Sequence, residues 1–518
     1  MALSDREVEL KVDLVPSDAV RLQDHPAVRR AAVAPPQVQQ LRSVYFDTRD
    51  HALAGAGIGL RVRREGTQQV QTVKAAEREA AGLFERRELE VPVAGPLPDL
   101  DAIPDETLRA RIATLVAGQA LEPVFETEMR RTSRVLRDGG DEWSVDVDEG
   151  ELRAGDSRES FCELELELRQ GEAARLYEMA LELLESFPLQ VGTRSKAERG
   201  YALRTGDGPS SRKALPLELP EDATLDAVLR AVAHSCLAQI SGNTAAARDG
   251  SDPEGVHQMR VGVRRMRSVF SVFRPVLPGE PTRLLRENLR WLARELGLVR
   301  DLDVFIGELL EPLFAVRDDA ALKRLRDEAE ALREERKQAL REVLRSRRHT
   351  RLQLELGHWI ARSAWREQVL SERSALLFQR ADVFADGVLD RLHRKARKLG
   401  REAQTGPPAA RHELRIALKK LRYASEFFRC LYPKKDARRY LRRLSQLQDL
   451  LGALNDLATA SRVLADLLER VAPGDVGAHQ RAAGFVEGFA ARQDELALAR
   501  LAGQWERFED TRRFWLRE

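Results

Sequence analysis

The stretch that decides the fold of the N-terminal part is EVELKVDL, which runs from Glu7 to Leu14. Its charged residues Glu7, Glu9 and Lys11 alternate with three aliphatic residues. Successive side chains of a β-strand point to opposite faces of the sheet. The stretch therefore predicts a strand with one apolar face and one face that carries two carboxylates and an ammonium group.

The same one-sided charge recurs in several strand-like segments of residues 1–204. The polar and charged residues that share a face are Arg61 with Arg63, Thr72 with Lys74, Glu85 with Arg87, Glu88 with Glu90, and Glu163 with Glu165 and Glu167. One interpretation is an open sheet whose charged face meets solvent. The other is a closed barrel whose charged side lines a lumen, where carboxylates beside Arg and Lys indicate a divalent metal next to a polyanion.

These segments, taken in order, resemble the CYTH superfamily, also called the triphosphate tunnel metalloenzymes. The motifs that carry the resemblance are EVELK at 7–11, YFDT at 45–48, LRVR at 60–63, QTVK at 71–74, ERRELE at 85–90, VFETEMRR at 124–131, VDEG at 147–150, CELELEL at 162–168 and SKAERGY at 195–201. The resemblance implies an antiparallel eight-stranded tunnel with flanking helices, which holds a triphosphate together with Mg²⁺ or Mn²⁺.

The resemblance also implies roles for individual residues, by their positions in the motifs. The implied metal ligands are Glu7, Glu9, Asp148, Glu163 and Glu165, with Glu167 as either a further ligand or a structural neighbour. The implied triphosphate-binding residues are Arg61, Arg63, Lys74, Arg87, Lys196 and one of Arg130 and Arg131, of which strand alternation favours Arg131. Lys11 corresponds to a lysine that orients or activates the attacking water, and Lys74 joins it as a catalytic residue.

The strand pattern ends at a segment rich in Gly, Pro and Ser, residues 205–218, which we interpret as a linker. Residues 219–518 are instead long, amphipathic, charged stretches typical of a helical bundle. Residues 1–218 hold 30 basic and 40 acidic residues, a net charge of −10, whereas residues 219–518 hold 55 and 43, a net charge of +12. The basic half favours an anionic partner.

The helical part contains an internal repeat. HQMRVGVRRMR at 257–267 matches HELRIALKKLR at 412–422, and LGLVRD at 296–301 matches LGALND at 451–456, both at an offset of 155 residues. A shared offset at two motifs indicates duplication, and its period is far too long for a solenoid. We therefore predict an all-α domain of two pseudo-symmetric halves, about 219–365 and 371–518, that meet on a pseudo-twofold axis.

Each copy of the first motif places basic residues along one helical stripe. The two stripes are His257, Arg260, Arg264, Arg265 and Arg267, and His412, Arg415, Lys419, Lys420 and Arg422. A solvated outer face is one interpretation, and a shared basic groove is the other. The stripes resemble the CHAD domain, a conserved-histidine helical domain, and the resemblance implies polyphosphate binding. The stripes lack interleaved aromatic residues, which disfavours nucleic acid, and histidines among arginines indicate phosphate donors or structural residues more than metal ligands.

The remaining features concern location. Cys162, Cys236 and Cys430 are scattered without metal-ligand spacing, which argues for a reducing compartment. The first residues lack the apolar core of a signal peptide, and no run of roughly 18 apolar residues predicts a membrane span. We therefore expect a cytoplasmic protein, either free or associated with polyphosphate granules.

The sequence as a whole predicts a metal-dependent triphosphatase that acts on inorganic triphosphate and carries a polyphosphate-binding helical domain. One alternative is a non-catalytic protein whose tunnel is a receptor and whose helical domain targets it to polyphosphate. Another is a tunnel enzyme that acts on an organic triphosphate, such as thiamine triphosphate or a nucleotide. No base or thiamine pocket is evident in the sequence, so inorganic triphosphate is favoured.

Overall fold

The structure is a computed structural model that describes residues 6–369, 371–470 and 476–516, without the side chains of 76–78, 408 and 453–458. Most of the second LGALND motif therefore lies outside the described side chains. The chain divides into two compact units. The first comprises Met1–Arg212, Leu237–Gly255 and Leu344–Ala364, and the second comprises Lys213–Cys236, Val256–Val343 and Trp365–Glu518.

Eight antiparallel strands of the first unit close into a barrel. They are β1 (Arg6–Asp13), β2 (Gln37–Asp47), β3 (Ile58–Glu65), β4 (Gln68–Ala80), β5 (Leu83–Val93), β6 (Glu122–Asp138), β7 (Asp141–Ala154) and β8 (Ser157–Gln170). Their order is β5-β4-β3-β2-β6-β7-β8-β1, and β1 pairs back with β5 to close the ring. A short strand, β9 (Gln190–Val191), pairs antiparallel with the end of β1. The eight-stranded antiparallel tunnel is thus confirmed.

Helices make up the remainder of the regular structure. In chain order they are α1 (Ala19–Gln23), α2 (Pro26–Ala31), α3 (Ala52–Gly55), α4 (Glu106–Val116), α5 (Ala174–Ser186), α6 (Lys196–Thr205), α7 (Leu225–Ser241), α8 (Thr244–Asp249), α9 (Glu254–Val272), α10 (Arg283–Val304), α11 (Glu311–Phe314), α12 (Ala320–Arg345), α13 (Arg347–Ala361), α14 (Glu372–Ala375), α15 (Ala381–Thr405), α16 (Pro408–Phe428), α17 (Lys434–Leu468) and α18 (Val476–Glu509). Among the helices described, none combines the length and the apolar composition of a membrane-spanning segment.

The core of the barrel unit lies outside the strands, between the sheet and its helices. Leu60, Val62 and Val73 on β3 and β4 pack against Leu108 and Ile112 of α4. The apolar side chains of the strands therefore face outward, and the charged alternate side chains face the lumen. The open sheet with a solvated charged face is the wrong interpretation of the pattern.

Two helices from beyond the predicted linker belong to the barrel unit, α8 and α13. Helix α13 packs on α5, and the ring of Tyr177 comes so close to Gly357 that an added Cβ there would lie 2.3 Å from it. The hydroxyl of Thr350 donates to the carbonyl of Leu189 at 3.0 Å. A glycine at 357 is therefore a packing requirement of this helix pair.

The helical unit shows the predicted duplication in its helices. Helices α7, α9, α10 and α12 correspond to α15, α16, α17 and α18 at an offset near 155 residues. Corresponding segments of the two halves also pair directly, since Leu225 N–H donates to the Gln379 carbonyl and Ala381 N–H donates to the Ala223 carbonyl, both at 2.9 Å. This reciprocal pair marks a local twofold axis between the halves.

Candidate active site and basic groove

The barrel encloses a cavity of about 370 Å³ whose wall is dominated by charged side chains. The acidic residues that line it are Glu7, Glu79, Glu88, Glu90, Glu165, Glu167 and Glu198, and the basic residues are Lys11, Arg61, Arg63, Lys74, Arg86, Arg131 and Lys196. Tyr45, Phe84, Met129 and Tyr201 also reach the cavity. A cavity with this many ionised groups of both signs is suited to a highly charged ligand and its counterion.

Three buried carboxylates form a cluster on β7 and β8. Asp148 lies directly opposite Glu163 in the strand register, and Glu165 follows two residues later on the same face. Ligand atoms of the three residues all lie within 4.8 Å of one another. Lys196, the first residue of α6, brings its Nζ within 2.7 Å of Asp148 Oδ2 and 2.9 Å of Glu165 Oε1, and it also contacts Glu163.

Neighbouring cations decide the ionisation of this trio. Burial would raise the pKa of Glu165, but Lys11, Lys196 and Arg131 hold the pKa well below its usual value. Burial also opposes ionisation of Asp148, and Lys196 and Arg131 again lower its pKa. For Glu163 burial prevails over Lys196 and Lys11, and its pKa is raised. Burial therefore opposes ionisation most at Glu163, whereas the neighbouring cations favour it at Asp148 and Glu165.

The β1 residues form a second charged group next to the trio. Lys74 donates to Glu7 Oε1 at 2.6 Å, and Arg86 donates to Glu9 Oε1 at 3.2 Å. The ammonium of Lys11 joins the two groups, because it lies 3.2 Å from Glu9 Oε1 and also donates to Glu165. Of the five predicted metal ligands, the structure thus places three in one cluster and Glu7 and Glu9 beside it.

The chemistry of the donors fits a divalent cation of the Mg²⁺ or Mn²⁺ type. Each ligand atom in the trio is a carboxylate oxygen, the donor that both ions prefer. Glu7 Oε2 is buried and has no hydrogen-bond partner among the described residues, so it is a further oxygen available to a cation. Asp148, Glu163, Glu165 and Glu7 are therefore the residues that could hold a metal.

Strands β3 and β4 supply cations to the opposite part of the wall. Arg63 donates to Glu90 Oε1 at 3.1 Å, and Lys74 lies 3.1 Å from Glu88 Oε1. Burial would lower the pKa of Lys74, but Glu7 and Glu88 raise it above its usual value. The Nε atoms of Arg61 and Arg63 are buried without a hydrogen-bond partner in the described part of the chain. These donors are available to a bound anion.

The two basic stripes of the helical unit approach each other. Burial is the main reason that the pKa of Lys419 falls to about 7, and Arg415, Arg264, Arg260 and Arg422 lower it further. Burial and then Arg264 likewise lower the pKa of Arg260, with Arg415 among its other neighbours. Residues from α9 and α16 thus form one basic patch in which like charges repel each other.

The other residues of the two predicted stripes lie at the margins of this basic patch or point away from it. Arg265 is buried and donates to Ser235 Oγ at 3.2 Å, so its assignment to the binding face is wrong, because it packs toward α7. Arg267 is exposed, with Arg290 as a neighbouring charge. His412 and Lys420 are exposed, and His257 is half-buried.

Comparison with known proteins agrees with both parts of this architecture. Residues 5–201 match the sequence model of the CYTH domain, and residues 231–465 match that of the CHAD domain. The chain is a CYTH domain followed by a CHAD domain. The crystal structure of the CHAD domain from the plant Ricinus communis is 34% identical, with a TM-score of 0.52 over 59% of this chain and 98% of that one.

Two curated relatives extend the comparison. An uncharacterized protein of Mycobacterium tuberculosis is 28% identical over 481 residues, which cover 87% of this chain and 86% of the relative. The inorganic triphosphatase of Haemophilus influenzae is 28% identical over 199 residues, which cover 38% of this chain and 55% of that enzyme. The first relative therefore shares both domains, and the second is similar over a segment the length of the CYTH domain.

Strand alternation in the CYTH domain corrects one predicted residue and decides between two others. Arg87 points away from the cavity and pairs with Asp105, because it alternates with the lumen-facing residues of β5. Its neighbour Arg86 lines the cavity instead and was missed. The alternation of Glu88 and Glu90 was the signal that could have identified it.

The same alternation on β6 distinguishes Arg131 from Arg130. Arg131 faces the lumen and forms a bidentate salt bridge with Asp148 at 2.7 Å, whereas Arg130 faces outward and donates to Glu149.

Proposed function

We propose that the CYTH domain hydrolyses inorganic triphosphate with the help of a divalent metal, and that the CHAD domain binds inorganic polyphosphate. The observation that carries the first part is that the carboxylate trio reaches the cavity of the barrel through Glu165, where several Arg and Lys side chains line the same wall. The similarity to an inorganic triphosphatase over most of the CYTH domain supports the same activity.

The charges of the cavity suit the electrostatics of phosphoryl transfer. Opposite charges about 4 Å apart gain roughly 4 kcal/mol at an effective dielectric constant of 20, so several cations together select a highly charged chain. Arg61, Arg63, Arg86 and Arg131 bind and orient the phosphates in this proposal. A metal held by the trio would neutralise charge on the transferred phosphate.

Lys11 is the residue best placed to act on the attacking water. Burial opposes its charge, but Glu165 and Glu9 raise its pKa above the ordinary value of 10.5. A lysine that remains protonated at neutral pH acts as a hydrogen-bond donor and not as a base. Lys11 therefore orients water or stabilises developing negative charge beside Glu165.

The polyphosphate-binding part rests on the basic patch. Arg260 and Arg264 of α9 and Arg415 and Lys419 of α16 repel one another, as the lowered pKa of Lys419 indicates. A polyanion that bridges both helices relieves this repulsion. Two linked sites gain affinity from effective concentration, so a long chain that reaches both halves binds more tightly than a short one.

The proposed hydrolysis is tested with the purified full chain and a panel of substrates. We expect phosphate release from tripolyphosphate with Mg²⁺ or Mn²⁺ and none in EDTA. If phosphate is released only from thiamine triphosphate or ATP, the substrate is an organic triphosphate and not inorganic triphosphate. Absence of hydrolysis with every substrate, together with tight tripolyphosphate binding, would support the receptor alternative.

The proposed polyphosphate binding is tested with a chain-length series. The double variants Arg260→Ala/Arg264→Ala and Arg415→Ala/Lys419→Ala should each weaken binding of long chains more than of short ones. A matched loss of charge elsewhere, Arg283→Ala with Lys435→Ala, controls for net charge, because both residues are exposed on other segments. Affinity should fall steeply with salt. Equal affinity in all three variants would contradict the shared groove.

A further inference from the structure

Arg212 lies in the segment 205–218 that the sequence predicts to be a linker, yet its side chain is fixed at the wall of the tunnel. Its guanidinium bridges two cavity-lining carboxylates, with Nη1 3.3 Å from Glu79 Oε2 and Nη2 2.5 Å from Glu198 Oε1. Glu79 comes from β4 and Glu198 from α6. The side chain of Arg212 remains 45% exposed, so this bridge lies at a mouth of the cavity.

The backbone of Arg212 is held as firmly as its side chain. Its N–H donates to Asn243 Oδ1 at 2.8 Å, and its carbonyl accepts from Asn243 Nδ2, also at 2.8 Å. Asn243 is completely buried between α7 and α8, and its Nδ2 additionally donates to the carbonyl of Gln239. The two hydrogen bonds resemble the reciprocal backbone pair between neighbouring β-strands, and they fix the backbone position of Arg212. Asn243 belongs to the barrel unit although it falls within the CHAD match.

The carboxylate that Arg212 contacts on α6 also shapes the first turn of that helix. Glu198 accepts from the backbone N–H of Ser195 at 2.9 Å, and Ser195 Oγ accepts from the N–H of Glu198, which together form a capping box. Lys196 is the first residue of the helix that this box begins. Its ammonium reaches the carboxylate trio. Arg212 therefore stabilises the turn that delivers Lys196 to the site.

The second carboxylate has an electrostatic consequence for an anionic substrate. Burial and the neighbouring Glu198 raise the pKa of Glu79 to about 7, although Arg212 opposes this. Two carboxylates at a mouth through which a triphosphate passes would repel it. The guanidinium between them neutralises this repulsion.

We propose that Arg212 is a positioning residue of the tunnel, which holds α6 and Lys196 in place and masks Glu79 and Glu198 from a triphosphate. This inference rests on the proposed function and adds to it a residue from beyond the CYTH match. It also assigns a role to the linker segment and to Asn243, which couple the start of the CHAD sequence to the substrate site.

The test compares full-length variants by steady-state kinetics with tripolyphosphate. Arg212→Ala should raise KM by about tenfold, with a smaller change in kcat, because a charge-masking contact at the mouth is lost. Arg212→Lys should recover part of the loss. The second substitution Glu198→Gln in the Arg212→Ala background should lower KM again, since a carboxylate is removed while glutamine can still take part in the capping box. A purely structural role for Arg212 predicts no such rescue.

Two further variants complete the experiment. Lys213→Ala removes a neighbouring exposed charge and should leave KM unchanged. Asn243→Ala should raise KM in the same direction as Arg212→Ala without altering the charge at the mouth. The inference is overturned if Arg212→Ala keeps the wild-type KM, or if Glu198→Gln fails to rescue it.

Calorimetric binding of tripolyphosphate in EDTA separates this inference from the proposed function. If the wild-type chain binds tripolyphosphate in EDTA but does not hydrolyse it when Mg²⁺ or Mn²⁺ is supplied, the proposed hydrolysis is contradicted. The same variants are then compared by their Kd for tripolyphosphate. A Kd that Arg212→Ala weakens and Glu198→Gln restores supports the role of Arg212 in either case. A Kd that neither variant changes refutes it.

Discussion

Lys11 and Glu165 lie directly opposite each other on the neighbouring strands β1 and β8, and the ammonium of Lys11 donates to the carboxylate of Glu165. The pairing places a cation between the β1 carboxylates and the β8 carboxylates, since Lys11 also lies 3.2 Å from Glu9. Removal of this lysine would leave buried carboxylates with one cation fewer, at the position where the proposed water attack occurs.

The first prediction concerns this lysine. Lys11→Ala should lower kcat for tripolyphosphate by about 100-fold or more, the usual contribution of a positioned hydrogen-bond donor to developing negative charge, with a smaller change in KM. Lys11→Arg, which keeps the charge, should retain more activity than Lys11→Ala. Thermal unfolding of each variant serves as the control for folding. A rise in KM with unchanged kcat would reassign Lys11 to substrate binding.

The second prediction uses two adjacent arginines that face opposite sides of β5. Arg86→Ala should raise KM for tripolyphosphate by about tenfold or more, because a charge-assisted contact in the lumen is lost. Arg87→Ala is the matched control and should behave like wild type, since its guanidinium pairs with Asp105 outside the cavity. A larger effect of Arg87→Ala would mean that the inward face of β5 is assigned wrongly.

The third prediction addresses the metal directly. Glu163→Gln should weaken Mn²⁺ binding, measured by electron paramagnetic resonance without substrate, because one of the three clustered carboxylates is neutralised. Glu149→Gln is the control, since Glu149 pairs with Arg130 on the outer face of the barrel. Equal Mn²⁺ affinity in both variants would place the metal elsewhere, for example at Glu7 and Glu9.

The alternation of charged and apolar residues was sufficient to predict which face of most strands is inward. The pattern in β1 and β8 places Glu7, Lys11 and Glu165 correctly on the cavity wall, because a side chain on a strand has only two possible directions. The prediction for Arg87 is wrong because the motif ERRELE contains two consecutive arginines, only one of which can face the lumen. Glu88 faces the lumen, and Arg86, two residues before it on β5, must therefore face the lumen too.

Contacts between distant segments were beyond what the pattern could predict. Arg212 lies in a Gly- and Pro-rich segment without periodicity, and its partners Glu79, Glu198 and Asn243 come from three separate parts of the chain. The inclusion of α13 in the barrel unit depends on the fit of Gly357 to the ring of Tyr177. Such fits arise from tertiary packing and leave no local periodic signal.

The CHAD stripes were predictable as helical faces but not in every member. The helical periodicity of the sequence predicts matching stripes. The structure brings together four of their residues, Arg260, Arg264, Arg415 and Lys419. Arg265 lies at the flank of its stripe, where a long side chain can turn either toward the groove or into the bundle. Its hydrogen bond to Ser235 shows that it turns into the bundle.

The last prediction follows from the environment of Lys419. Its pKa is about 7 because burial and four arginines, Arg415, Arg264, Arg260 and Arg422, disfavour its charged form. A bound polyphosphate favours the charged form and raises this pKa. Above pH 7 the free protein has lost the proton that the complex holds, so binding takes up a proton and polyphosphate affinity falls as the pH rises.

The measurement is calorimetry of long-chain polyphosphate at several pH values and in buffers of different ionisation enthalpy. Wild type should lose affinity by up to about tenfold per pH unit above pH 7, with measurable proton uptake. Lys419→Arg keeps its charge over this range, so its affinity should be nearly independent of pH. Lys435→Arg, an exposed site on α17, should follow the wild-type slope. A wild-type affinity that does not change with pH, or a Lys419→Arg variant with the wild-type slope, would show that Lys419 is not the group that gains the proton.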